Sequence, residues 1–216
     1  MLDDTKGIAV ALSGGKDSLS LLFMLKAILG RGFPDLPLTA LHVSGEFSCG
    51  ASLDATFLQS ICKELDIPLL ISQSEQKRDT LACYRCSRER RRLLFDAAKK
   101  RDVSTIAFGH HRDDSTQTLL LNLLHKGEFA AILPKLHMQN YQVTIIRPLI
   151  YVPEQEIATF AKHCGFARIT CRCPLGNCSK RSEVKQLLKQ METVFPHANS
   201  NLARAAHLYG STKAMR

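Results

Sequence analysis

The sequence predicts an α/β fold, with a doubly wound parallel sheet of about five strands and helices at the C-terminal end. Two observations support this prediction. Short apolar runs rich in β-branched residues alternate along the chain with longer segments whose apolar residues recur at helical spacing. Such runs are typical of strands buried on both faces, and the alternation is typical of helices that connect parallel strands.

The elements follow in a regular order. The strands are predicted at residues 7–12, 37–43, 67–72, 104–109 and 143–149. The helices are predicted at 17–29, 53–65, 83–100, 114–124 and 153–165, with one or two more from Ser182 onward. Asp17 or Ser18 is expected to cap the first helix, whereas Pro153 and Gly165 mark the ends of the fifth.

Two stretches are predicted to be irregular. Residues 125–142 contain Gly127 and Pro134, show no periodicity and predict a mobile loop. Residues 171–180 form the second irregular segment. No internal repeat or low-complexity linker separates the rest, which indicates one domain with a small appendage.

Length and charge narrow the class of protein. The 216 residues are 45% hydrophobic, enough to bury a core without disulfides or metals. The formal net charge of +9 favours a polyanionic partner such as nucleic acid. The acidic start "MLDDTKG" predicts no secretory signal, and no apolar run reaches the ~18 residues of a membrane span. We therefore expect a cytoplasmic protein with reduced thiols and no membrane contact.

The stretch "LSGGKDS" (12–18) joins the first predicted strand to the first predicted helix. Gly14 and Gly15 allow the backbone to turn and to approach a ligand closely. The backbone amides, the helix N-terminus and the hydroxyls of Ser13 and Ser18 together predict an anion-binding site. The sequence therefore predicts a phosphate-binding loop.

Two charged residues refine this prediction. Lys16 adds a positive charge to the loop, and Asp17 fits beside phosphates if it positions Mg²⁺ on them. The loop is not a Walker A motif, because its lysine directly follows two adjacent glycines instead of the G-x-x-x-x-G-K-[ST] spacing.

A second polar cluster, "FGHHRDD" (108–114), follows the fourth predicted strand. Gly109 allows the backbone to approach a nucleotide, and Asp113 and Asp114 are able to bind Mg²⁺ or position a substrate. His110 and His111 are adjacent, so regular structure would direct their rings differently, which argues against a separate zinc site there.

The chain has eight cysteines, and in a reducing compartment this number indicates metal or redox chemistry. Cys62 and Cys164 stand alone in helical segments and are expected to be buried. "CYRC" (83–86) places two thiols three residues apart at the start of a predicted helix, where the helix N-terminus and nearby arginines favour thiolate.

A second cysteine cluster, "CRCPLGNC" (171–178), is able to supply further ligands. From spacing alone three interpretations stay open. Four thiolates would hold a structural zinc ion, three would hold an iron–sulfur cluster with one open iron, and a free redox pair would need no metal.

The S-G-G-x-D-S motif after a first strand resembles the PP-loop pyrophosphatases, the adenine nucleotide alpha hydrolase-like fold. These enzymes split ATP between its α and β phosphates and adenylate a substrate. The order of "SGGKDS", "CYRC" with "RRRLL", "AFGHHRDDSTQTLLLNLL", "RPL" and a Cys-Pro segment ending in "KR" is similar to one branch, the tRNA 2-thiocytidine synthetases. The resemblance covers about residues 7–190.

The resemblance implies a set of functional residues. ATP would be bound by Leu12, Ser13, Gly14, Gly15, Lys16, Asp17, Ser18, His42, Val43 and Gly109, with adenine near Leu41–Val43. Catalytic roles would fall to Asp17, Asp113, Cys83 and Cys86. Arg88, Arg91 and Arg92 would face tRNA phosphates, and Arg90 would point toward the metal centre.

The family also implies an oxygen-sensitive [4Fe-4S] cluster on three cysteines, Cys83, Cys86 and Cys173. Cys171 competes for the third position. Cys178 would complete a four-thiolate zinc site, so zinc stays the alternative metal.

The implied reaction is ATP-dependent tRNA thiolation. ATP and Mg²⁺ would adenylate the oxygen at C2 of an anticodon-loop cytidine, and sulfur would then displace AMP. The sulfur donor would be a cysteine desulfurase or sulfide, and a homodimer is a family expectation.

Residues 1–170 are expected to form the PP-loop domain, and residues 171–216 the cysteine-bearing segment and helical tail. Two other functions stay open. One is a lysidine-synthetase- or amidotransferase-like adenylating enzyme with structural zinc, and the other is a nucleotide- or tRNA-binding protein without turnover.

Overall fold

The computed structural model describes residues 1–2, 5–45, 55–76, 83–166 and 180–210. Within these residues, the sheet is formed by β1 (Ile8–Ala11), β2 (Leu38–Ser44), β3 (Leu69–Gln73), β4 (Thr105–Ala107), β5 (Lys135–Met138) and β6 (Val143–Ile146). The helices are α1 (Lys16–Ile28), α2 (Ala55–Glu64), α3 (Cys83–Lys99), α4 (Arg112–Lys126), α5 (Glu154–His163), α6 (Lys180–Val194) and α7 (Ala198–Tyr209). In the described part of the chain, no helix combines the length and the apolar character that crossing a membrane requires.

The strand order is β3-β2-β1-β4-β6-β5. The central strand β1 is parallel to both neighbours, with Ile8 paired to Leu38 of β2 and to Thr105 of β4. Only the edge strand β5 is antiparallel in the described sheet. The predicted α/β class with a parallel sheet is confirmed, with six strands instead of about five.

The additional strand lies in the stretch predicted as a mobile loop. β5 and a 3₁₀ turn (Gln139–Tyr141) occupy part of residues 125–142, so the loop prediction is wrong there. β5 has only four residues, and Lys135 and His137 are exposed. Its pairing with β6 is supplied by a neighbouring strand and not by its own apolar pattern.

A hydrophobic cluster lies on each face of the sheet. Apolar strand residues contribute to both clusters, because successive residues of a strand point to opposite sides. Ile8 and Val10 pack toward α1, α2 and α5, whereas Ala9 and Ile106 pack toward α3. A smaller cluster joins α4 to α6. The sheet is therefore covered on both faces, as predicted for a doubly wound fold.

The topology also locates a ligand crevice. From β1, the strands β2 and β3 extend the sheet in one direction, and β4 and β6 extend it in the opposite direction. Ligands of such sheets bind beyond the carboxyl ends of the strands where this reversal occurs. The crevice therefore lies between the segments that follow β1 and β4.

Two local predictions are wrong. Gly15, and neither Asp17 nor Ser18, is the N-cap residue of α1, which already begins at Lys16. Cys164 is exposed because α5 ends at His163 and leaves this thiol beyond the packed helix. Cys62 is buried as predicted.

Candidate active site

The loop after β1 is held closed by its own two serines. The backbone N–H of Ser13 donates to Ser18 Oγ over 3.1 Å, and Ser18 Oγ–H donates to the Gly15 carbonyl over 3.0 Å. Gly14 has a φ of +81°, a conformation that favours glycine. No side chain caps α1, so its first-turn amides can serve an anion in the crevice.

The turn after β4 packs directly on this loop. A Cβ atom at Gly109 would lie 3.0 Å from the backbone carbonyl carbon and oxygen of Asp17 and 3.1 Å from the Ser18 nitrogen. These are backbone atoms of the loop, which cannot move aside for a methyl group as a flexible side chain would. Glycine at position 109 therefore allows the two halves of the crevice to meet.

Gly109→Ala is expected to lower the free energy of unfolding by about 1–3 kcal/mol, because the methyl group pushes the two turns apart. ATP affinity, measured by titration calorimetry, is expected to fall with it. Gly15→Ala is the matched control for stability, since its Cβ would meet only Ser13 Oγ at 3.5 Å. Equal melting temperatures for the two variants would contradict the close approach.

Lys16 of the loop is bound to two carboxylates. Its Nζ lies beside Asp17 Oδ1 and 3.2 Å from Glu154 Oε1, and Glu154 Oε2 also accepts from Lys185 Nζ over 2.8 Å. Burial opposes ionisation of Glu154, but the hydrogen bonds and charges of Lys185 and Lys16 lower its pKa to about 2. Glu154 therefore links the phosphate-binding loop to α6.

Sequence reasoning did not identify Glu154. An acidic residue in the first turn of a helix is ordinary, because it faces the positive end of the helix dipole. Its partners Lys16 and Lys185 are remote in the chain, and only the tertiary structure brings them together.

Asp113 joins three helices. Its Oδ2 accepts the backbone N–H of Glu154 over 2.8 Å, and its Oδ1 accepts Asn199 Nδ2–H over 2.8 Å. Both carboxylate oxygens of this α4 residue are thus occupied by α5 and α7. The catalytic role predicted for Asp113 stays a prediction, and the contacts themselves position the helices around the crevice.

Asp114 caps the start of α4. Its Oδ2 accepts the backbone N–H of His111 over 3.1 Å, and its Oδ1 lies 3.5 Å from Arg181 of α6. The buried His111 ring lies 3.5–3.7 Å from the carboxylates of Asp113 and Asp114. Across the described residues, no group of three or more histidine, cysteine or acidic side chains is arranged to hold a metal ion.

His42, near the carboxyl end of β2, forms a hydrogen bond to the first residue of the loop. Its Nδ1–H donates to the Leu12 carbonyl over 2.8 Å, and burial lowers the pKa of the ring. Its Nε2 is buried without a hydrogen-bond partner among the described residues. The side chain of Val43 is buried as well. The nucleotide contacts predicted for His42 and Val43 stay predictions.

His110 lies beside the crevice with its ring stacked on Phe108 at a centroid distance of 5.7 Å. Burial, followed by the positive charge of Arg147, lowers the pKa of His110 to about 4. The ring is therefore neutral at physiological pH.

A neutral buried histidine makes stability depend on pH. The unfolded chain binds a proton at His110 near pH 6.5 and the folded chain only near pH 4, so this contribution is complete above pH 6.5 and is lost as the pH falls toward 4. We expect wild type to lose about 2 kcal/mol more than His110→Gln between pH 7.5 and pH 5 in urea unfolding. The exposed His125→Gln variant is the control, and parallel pH profiles for all three proteins would contradict the assignment.

The cysteine-bearing helix begins at the same edge of the sheet. α3 starts at Cys83, after the carboxyl end of β3, and Cys86 follows one turn later with a half-buried side chain. Ser74, just after β3, donates to Glu89 Oε1 over 2.9 Å and ties the strand end to the helix. The side chain of Cys83 and the whole of Cys171, Cys173 and Cys178 lie outside the described part of the structure.

The arginines of α3 have different surroundings. Arg92 pairs with Asp96 at 3.1 Å, and the Arg88 guanidinium lies 5.6 Å from the exposed Tyr84 ring centroid. Arg90 has a buried Nε without a partner among the described residues. The RNA-facing role predicted for Arg88, Arg91 and Arg92 stays a prediction.

The PP-loop domain family model matches residues 2–170 of this chain. The chain is also similar to the solved U34-tRNA thiolase NcsA from Methanococcus maripaludis, a structure with a [4Fe-4S] cluster. The TM-score is 0.78, with 24% identity over 98% of this chain and 76% of that chain. The fold and the loop together define a PP-loop protein.

Curated relatives narrow this class. The tRNA-cytidine(32) 2-sulfurtransferase of Syntrophotalea carbinolica is 34% identical over 213 residues, which are 95% of this chain and 82% of the relative. The enzyme of the same name from Geobacter metallireducens is 34% identical over 214 residues, with the same coverage. The chain belongs to the tRNA-cytidine(32) 2-sulfurtransferase family, and the resemblance seen in the sequence is confirmed.

Proposed function

We propose that this protein is an ATP-dependent tRNA thiolase that converts an anticodon-loop cytidine to 2-thiocytidine. Family membership supports the reaction class. The observation that carries the proposal is that the phosphate-binding loop and the cysteine-bearing helix lie at the same edge of the sheet. The phosphate-binding loop after β1 and the cysteine helix after β3 both begin at the carboxyl edge of the sheet.

The loop serves the first half of the reaction. Its first-turn amides and Lys16 bind the ATP phosphates, and Asp17 would hold Mg²⁺ on them. The cytosine O2 attacks the α-phosphate, and pyrophosphate leaves. The base then carries its former oxygen as an adenylate, which is a good leaving group.

Sulfur replaces this adenylate in the second half. A sulfide nucleophile attacks C2, the C2–O bond breaks, and AMP departs with the oxygen. The exchange of oxygen for sulfide at C2 involves no oxidation or reduction. If the donor is the persulfide of a cysteine desulfurase, a reductant first supplies the two electrons that release its outer sulfur as sulfide.

The C-x-x-C pair is suited to an iron–sulfur cluster. Cys83 and Cys86 lie one turn apart in the first turns of a helix, where the dipole favours thiolate, and Cys173 is the proposed third ligand. When bound, a three-cysteine cluster supplies an iron with an open coordination position for a sulfur species. Arg90 follows one turn after Cys86, and its buried Nε has no hydrogen-bond partner among the described residues, so its positive charge is available to favour thiolate ligands.

The test is made on protein purified without oxygen. Iron, zinc and acid-labile sulfide are measured per chain, and unmodified tRNA is then incubated with ATP, Mg²⁺ and sulfide. We expect iron with sulfide, and 2-thiocytidine in the digested tRNA only when ATP is present. Zinc without iron, together with ATP cleavage but no thionucleoside, would instead support an adenylating enzyme that acts on another substrate.

A further inference from the structure

Arg147, the residue after β6, is a half-buried cation without a carboxylate partner in the described structure. Its Nη1–H donates to the Leu133 carbonyl, and its backbone N–H donates to the Pro134 carbonyl over 2.9 Å. Its Nε is buried and has no hydrogen-bond partner among the described residues. A half-buried guanidinium with an unpaired N–H donor is costly unless an anion completes its surroundings.

Arg91 adds to the positive charge around Arg147. Burial and then the charge of Arg91 on α3 lower the pKa of Arg147 to about 10, so it is still ionised at neutral pH. Arg147 and Arg181 both act electrostatically on His110, which is neutral. Asp114 is the acidic group beside His110, and Arg181 already contacts it at 3.5 Å.

The position of Arg147 in the sheet indicates which reactant would supply the anion. The backbone N–H of Phe108 donates to the Ile146 carbonyl over 2.9 Å, so the segments after β4 and β6 continue side by side. β4 separates β6 from β1, so Arg147 lies one strand further than Gly109 from the β1 loop, which is the site proposed for the ATP phosphates. An anion bound at Arg147 would therefore belong to the second reactant.

We propose that Arg147, assisted by Arg91 of α3, binds a backbone phosphate of the RNA substrate at the carboxyl ends of β4 and β6. This inference rests on the proposed function. A guanidinium with a fixed fork of donors is suited to a phosphate. A phosphate held there sets the register of the RNA, so that the neighbouring base enters the crevice.

The probe is a fluorescently labelled, unmodified anticodon stem–loop RNA, and its affinity is measured by anisotropy across a series of salt concentrations. Arg147→Gln is expected to weaken binding about 10-fold and to lower the slope of log affinity against log salt by ~0.7–0.9, the loss of one phosphate contact. Arg147→Lys is expected to keep the slope and lose part of the affinity. ATP affinity without RNA is expected to stay at the wild-type value.

Arg101→Gln is the matched control, because Arg101 is exposed beyond the end of α3, at the opposite edge of the sheet. Arg91→Gln is the second test, since Arg91 is exposed and its replacement should lower the slope without disturbing the fold. Thermal unfolding verifies that each variant is folded.

Several results would overturn the assignment. One is an RNA affinity and slope for Arg147→Gln and Arg91→Gln equal to those of Arg101→Gln. Another is a loss of ATP affinity with unchanged RNA binding, which would assign the site to nucleotide phosphates. Wild-type protein that binds no RNA would overturn the proposed function and this inference together, whereas the first two results leave the proposed function standing.

Discussion

Asp17→Ala is expected to reduce pyrophosphate release by roughly 10²–10³-fold or more, because it removes the charged group proposed to orient Mg²⁺ on the ATP phosphates. Asp17 lies in the first turn of α1 beside Lys16, and its side chain is 33% exposed. Its removal leaves the sheet and the core unchanged. Pyrophosphate release is measured with ATP and tRNA, and the melting temperature is measured in parallel.

Asp35→Ala is the control for this prediction. Asp35 is an exposed carboxylate beyond the opposite end of α1, so its loss changes the net charge equally without touching the loop. Pyrophosphate release by Asp17→Ala at the rate of Asp35→Ala would remove the assignment of Asp17 to the reaction.

Cys86→Ser is expected to lose the iron and to lower 2-thiocytidine formation roughly 100-fold or more, since changes even beyond the direct ligands of a metal cost about 10–100-fold. A serine hydroxyl has nearly the same size as the thiol but is a far weaker ligand for iron. ATP binding is expected to persist, because the loop after β1 is separate from α3. Iron content, thionucleoside yield and ATP affinity are measured on the same anaerobic preparation.

Cys164→Ser is the matched cysteine control. This thiol is exposed at the end of α5, and its loss is expected to change neither iron content nor thiolation. If Cys86→Ser kept its iron and its activity, Cys86 would not be a ligand.

Local chemistry explains why some of the site could be predicted from the sequence. The phosphate-binding loop depends on two adjacent glycines, two serines and a helix start within seven residues. The beginning of α3 at the C-x-x-C pair, and the ends of α5 at Pro153 and Gly165, depend on similarly short signals. These features are encoded by neighbours in the chain, so reading along the chain is sufficient to find them.

Partners remote in the chain explain why the rest could not be predicted. Lys16 meets Glu154, and Asp113 meets Asn199, across 138 and 86 positions of the chain. The short edge strand β5 exists because β6 offers it a pairing surface. Cys164 has the spacing of a buried residue but lies beyond the end of a packed helix.

The sequence by itself determined the α/β class, the loop, the cysteine helix and the family, because each depends on residue types at short spacing. Only the tertiary structure decided the use of the charged groups. In the folded chain, both carboxylate oxygens of Asp113 accept hydrogen bonds from α5 and α7. The guanidinium of Arg147 has no carboxylate partner among the described residues. Burial and pairing set the state of a charged group, and both arise when distant segments fold together.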